Sequence, residues 1–100
     1  MTPTRHVVRI DPELRDLIPR FLMNRRLDLD RLRAAAAGRD FEQARRIGHI
    51  LKGAGGGYGF DEITRLGAEI ERRAEARDES FAALIDELAD YLDGLDVTFE

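Results

Sequence analysis

Residues 45–60 read RRIGHILKGAGGGYGF. With successive residues placed about 100° apart, Ala44, Ile47, Leu51, Ala54 and Tyr58 share one narrow sector, which makes it an apolar core face. Arg45, Arg46, His49, Lys52, Gly53 and Gly56 lie opposite, so the imidazole sits at the centre of the exposed face, among three cations and above two glycines. A helix with this division of faces needs neighbours to cover its apolar side. The flanking sequence supplies them.

Upstream, LRDLIPRFLMNRRLDLDRLRAAAAG reads as a short helical turn followed by a helix that starts near Pro19, where proline is tolerated, and is stopped by Gly38. The alanines at 34–37 favour helix. Asp40 with Gln43 has the capping-box spacing and opens the next helix, which runs through the quoted stretch to about Gly59. A third helix follows from roughly Asp61 to Arg77, with Phe60, Ile63, Gly67, Ile70 and Ala74 on one face. Asp78 is the expected cap of a fourth, whose Phe81, Leu84, Ile85, Leu88, Leu92 and Leu95 form an apolar stripe. Short connections force sequential helices to run antiparallel, so the expected fold is all-α: an up-and-down antiparallel four-helix bundle. The expected organisation is a single domain over 1–100, with an extended N-terminal segment at 1–10, the bundle at 11–95 and an extended tail at 96–100. The ends HVVRI and DVTF have the pattern of extended chain, and a small terminal β ribbon is their expected pairing.

One hundred residues suffice for a single small core. The chain has no cysteine, which excludes disulfides and thiolate metal sites. The N-terminal sequence lacks the apolar run of a signal peptide and no segment has the length of a membrane span, so a cytoplasmic protein is the expectation. Net charge is −4, divided into +5 over residues 1–52 and −9 over 53–100, a balance that argues against a general nucleic-acid binder. Of the 16 basic residues only Lys52 is a lysine, and it stands three positions after His49.

Five glycines lie between Gly53 and Gly59. Each one inside a helix forgoes about 1 kcal/mol relative to alanine. Bare backbone at Gly53 and Gly56 lets another protein approach the helix axis beside His49, whereas Gly55 and Gly57, on the flanks, suit close packing of a neighbouring helix or fraying of the helix end. A nucleotide loop does not fit: Lys52 precedes the glycines, and no register of GAGGGYG matches the dinucleotide fingerprint.

A histidine on an exposed helix face can be an acid or base, a metal ligand, a phosphoryl acceptor or a residue without a role. No metal site is expected, because His6 is the only other histidine and HExxH is absent. Triad hydrolysis lacks a serine beside a plausible base, Ser80 being the only one and placed at a helix start. A nucleophilic imidazole beside cations suits transient attachment of a phosphoryl group, with Lys52, Arg45 and Arg46 stabilising its charge; a merely solvated face remains the alternative for the arginines. His6, in an extended terminus without matching neighbours, is a second site only in principle.

HILKGAGGGYGF resembles the signature of histidine-containing phosphotransfer (HPt) domains: His-x-hydrophobic-Lys-Gly, then small residues and a glycine ten positions after the histidine, here His49, Leu51, Lys52, Gly53 and Gly59. FDEITRLGAEIE continues the resemblance. It implies a phosphorelay intermediate in which His49 accepts a phosphoryl group and exchanges it with the aspartate of response-regulator receiver domains, with a sensor or hybrid histidine kinase as a further partner. Lys52 matches the family lysine and Gly53 the small residue that leaves room for the receiver. Glu71, 22 residues after the histidine, occupies the position where family members carry Gln or Glu bonded to the imidazole. From there it can accept from Nδ1–H and leave Nε2 as the nucleophile; a glutamate paired only with arginines of its own helix is the alternative. Gly67, one turn earlier, would let the third helix lie close to the second. The partner-binding candidates are Arg45, Arg46, Gly53 and Gly56, with Met23 on the preceding helix. No cofactor is expected on this chain, Mg2+ belonging to the receiver, and the protein is expected to be a phosphocarrier without autonomous catalytic activity. Neither nucleic acid nor membrane is an expected partner, and a monomer is expected because a complete bundle leaves no apolar face uncovered. The competing possibility is a helical adaptor or inhibitor that binds a kinase or receiver through the same face without carrying phosphate.

Overall fold

In the computed structural model, which describes residues 5–100, four helices and a terminal strand pair follow one another as β1 (His6–Ile10), a 3-10 helix (Pro12–Leu17), α1 (Ile18–Ala37), α2 (Phe41–Tyr58), α3 (Asp61–Glu75), α4 (Phe81–Asp93) and β2 (Leu95–Phe99). Residues 1–4 of the expected extended segment lie outside the described residues. Each helix packs on the next, and α4 returns against α1. The result is the four-helix bundle that the periodicity required.

The local signals work mostly as expected. Asp40 caps α2 by accepting from the Gln43 amide at 3.1 Å, although its own amide bonds the Ala35 carbonyl, so only half of the capping box forms. Gly59 ends α2 in the left-handed conformation (φ 88°), which glycine adopts without the steric cost of a Cβ. Gly38 closes α1 but keeps a negative φ; the left-handed residue is the following Arg39 (φ 52°). Arg77 (φ 56°) does the same after α3, which ends at Glu75 rather than Arg77.

The start of α4 differs from expectation. Asp78 accepts from the Ser80 amide at 2.9 Å in a turn that precedes the helix, and Ser80 occupies the capping position without a side-chain capping bond. Its hydroxyl is 3.4 Å from the Arg73 guanidinium instead. The apolar stripe runs from Phe81 to Leu92 in the core, while Leu95 belongs to β2.

The ribbon is parallel, with His6 opposite Leu95 and Ile10 opposite Phe99. Parallel strands need a long crossover, and here the whole bundle is that crossover. Alternation puts Val8, Ile10, Val97 and Phe99 against the core and leaves Arg5 paired with Asp96, and Arg9 with Glu100 at 3.5 Å, on the other side.

The core joins Phe21, Leu32, Ile47, Leu51, Phe60, Ile63, Leu66, Ile70, Phe81, Ile85 and Leu88. Phe21 stacks on Phe60 at 5.1 Å and meets the tilted Tyr58 ring at 4.5 Å, tying α1 to the α2–α3 turn. One charged pair enters this interior. Asp28 is 4 % exposed and lies 3.0 Å from Arg25, whose guanidinium covers the Phe21 ring. Burial pushes the Asp28 carboxyl up, opposed by the charges of Arg25 and Arg31.

Candidate functional site

The site begins with how closely α2 and α3 meet. A methyl group on Gly48 would stand 2.6 Å from the Glu71 amide nitrogen and 2.8 Å from the Gly67 carbonyl oxygen. One on Gly67 would strike the Lys52 amide and stand 2.8 Å from the Gly48 carbonyl. One turn further, a methyl on Gly55 would meet the Phe60 carbonyl and Thr64 hydroxyl at 2.6 Å. The two backbones therefore touch, and no other residue fits at these positions without separating the helices. Gly67 and Gly55 have the packing role that the sequence reading gave them. Gly48 escaped that reading, although it shares a face with Gly55 two turns away, and that spacing was the available signal.

This approach carries Glu71 across to α2. The His49 ring nitrogen Nδ1 lies 2.7 Å from Glu71 Oε2, and Lys52 Nζ donates to Glu71 Oε1 at 2.8 Å. One carboxylate thus joins His49 and Lys52. Lys52 first, and the His49 ring second, hold the Glu71 carboxyl below the usual carboxylate range, against partial desolvation. An ionised carboxylate bonded to Nδ1 takes the Nδ1–H tautomer, which leaves the Nε2 lone pair free. The His49 side chain is 65 % exposed, so that lone pair is open to a partner. Glu71 is not tied to an arginine of its own helix: Arg72 and Arg73 both bond Glu69, whose carboxyl is drawn down to about 2.

The other candidates divide. Gly53 is exposed with open space where a side chain would stand, and at Gly56 a methyl would make only ordinary contact, 3.7 Å from the Thr64 hydroxyl. Gly57 also faces open space, so its expected packing role is corrected: it lies beyond the strip where α3 touches α2. Arg45 and Arg46 are not on the imidazole. Both turn to Glu42, Arg45 at 2.7 Å and Arg46 at 3.5 Å. Their helical spacing places this carboxylate one turn below them.

Ile50, next to His49 in α2, is 51 % exposed, and Met23 and Leu27 of α1 are 57 % and 46 % exposed. Met23 was among the expected partner-binding candidates and is exposed as that role requires, whereas Ile50 was not among them. His6, expected only as extended chain, meets Tyr91 with the rings tilted and 4.9 Å between centroids, and lines a cleft of about 920 Å³ with Arg5, Arg9, Asp61 and Glu62. Among the described residues no three metal-ligating side chains converge, and no helix is long and apolar enough to cross a membrane.

The sequence profile of the Hpt domain matches residues 16–97, which takes in α1 to α4 with His49, Lys52 and Glu71. The chain belongs to the Hpt domain family. No curated protein and no solved structure matches it. Membership gives this Hpt domain a phosphotransfer role in two-component signalling, as a carrier module that interacts with receiver domains and kinases.

Proposed function

We propose that His49 is the phosphoryl acceptor of this Hpt domain and exchanges the group with a receiver-domain aspartate. The observation that carries this is the 2.7 Å contact of Nδ1 with Glu71, which orients an exposed ring and leaves Nε2 as its nucleophilic atom. In the transfer, the Nε2 lone pair forms the N–P bond while the P–O bond to the receiver aspartate breaks, and the aspartate leaves as a carboxylate. The ring gains positive charge as the bond forms, and the Glu71 carboxylate at Nδ1 stabilises it. Lys52, on the other oxygen of Glu71, lies within a turn of the ring and supplies positive charge for the phosphoryl oxygens. Glu71 and Lys52 are thus functional through His49. Gly53 and Gly56 leave space for the receiver, and Arg45 and Arg46 border it.

In this scheme the divalent cation and the acidic pocket belong to the receiver, and the chain contributes a held nucleophile rather than a complete catalytic centre. Positioning in the complex accounts for the rate. The protein is loaded with phosphoramidate, mixed with receiver domains, and the phosphate on each is followed by intact mass, with His49→Gln alongside. Rapid transfer to one receiver, absent in the variant, is the expected result. Receiver or kinase binding that survives His49→Gln, without transfer from the loaded protein, would replace the carrier by an adaptor.

A further inference from the structure

Glu42 stands in the first turn of α2, seven residues before His49, and receives both arginines of the exposed face. Arg45 grips it with two nitrogens, at 2.7 Å and 3.3 Å, and Arg46 Nε lies 3.5 Å away. Long side chains on a helix lean toward its N-terminus, so the His49 ring overlies the turn that carries residues 45 and 46. With Nδ1 committed to Glu71, a phosphoryl group can bond only through Nε2, and it brings between one and two negative charges to within a turn of both guanidiniums.

We propose that Glu42 is a positioning residue for the phosphoryl group: it holds Arg45 and Arg46 in the unloaded protein and releases them to the phosphoryl oxygens when His49 is loaded. The proposal rests on His49 being the acceptor. Two features favour the exchange. A phosphoryl group matches the planar guanidinium fork and carries more charge than one carboxylate. The Glu42 pairs are exposed, and exposed helix pairs are weak, so little opposes their opening.

The Glu42 carboxyl is held below the usual range by Arg45, so it remains charged at neutral pH.

Phosphoramidate tests the exchange without a receiver: the Nε2–P bond forms as the P–N bond of the reagent breaks, and the leaving nitrogen departs as ammonia. Intact mass first establishes that His49 loads; failure there overturns the acceptor assignment itself, before any variant is compared. In the loaded wild type, the Arg45 and Arg46 Nε–H resonances are expected to shift while that of Arg72, held by Glu69, stays in place. Glu42→Gln, with folding checked by thermal unfolding, is expected to load two- to threefold faster. In an Arg45→Gln/Arg46→Gln background the same substitution is expected to have no effect. Resonances that do not move on loading, an unchanged loading rate in Glu42→Gln, or an equal acceleration without the two arginines would each overturn the proposal, the last by reducing Glu42 to a nearby charge.

Discussion

The two sides of α2 use glycine for opposite reasons. Toward α3, Gly48 and Gly55 meet backbone at distances that leave no room for a methyl group, and Gly67 answers from the other helix. Toward solvent, Gly53 and Gly57 meet nothing at all. On the first side packing requires glycine, since interiors are close-packed and backbone cannot yield as a flexible side chain can. On the second side the fold would accept a larger residue, so glycine there needs a reason outside the fold. A partner that must come close to His49 supplies one.

The comparison is broken most directly at Gly48. Gly48→Val is expected to cost about 3 kcal/mol or more, since the helices must separate. Urea unfolding reads the loss, and the His49 ring resonances read the accompanying loss of the Glu71 bond. Full stability in this variant would erase the distinction between the two sides. On the open side the sign reverses. Gly53→Ala and Gly57→Ala are each expected to stabilise by up to about 1 kcal/mol in thermal unfolding. Gly53→Leu sharpens the contrast, because it is expected to keep the bundle folded while blocking transfer to a receiver. Transfer at the wild-type rate would remove the access role.

The smallest effect is on pH. Folding lowers the carboxyl pKa of Glu42, Glu62, Glu69, Glu71 and Asp78. Their stabilisation is complete above the ordinary carboxylate range and is lost as pH falls through their folded values, for Glu69 down to about 2. Asp28 has the opposite sign, since its raised pKa makes protonation favour the folded state as pH falls toward its ordinary value. Urea unfolding between pH 6 and 2.5 is expected to show net destabilisation by acid, with a shallower slope in Glu69→Gln and a steeper one when Asp28 and Arg25 are both replaced by leucine.

Much of this was legible in the residues. The helical period, Asp40 and Gly59 located α2, and the apolar positions of α3 and α4 are those that reach the core. The pairing of Glu71 with His49 followed from the spacing that the family resemblance supplied. What was hidden depended on facts that one helix does not contain. A projection cannot tell which flank of α2 meets α3, so Gly48 and Gly57 exchanged apparent importance. It cannot tell that Asp28 faces inward, because an isolated aspartate reads as surface. Nor can it give the direction of a side chain: Arg45 and Arg46 share the exposed face with His49, yet a carboxylate one turn away claims them first. Parallel pairing of the ribbon was likewise invisible, because either direction satisfies the same alternating pattern.

That pairing has a mechanical consequence. Because β1 and β2 run the same way, tension between the beginning of β1 and the end of β2 is directed along the strands and shears their hydrogen bonds together instead of peeling them one by one. The helices between them are shielded until the ribbon fails. A load passed through the two ends of the described chain thus meets its clasp first, and the His49 face feels none of it until the clasp gives way.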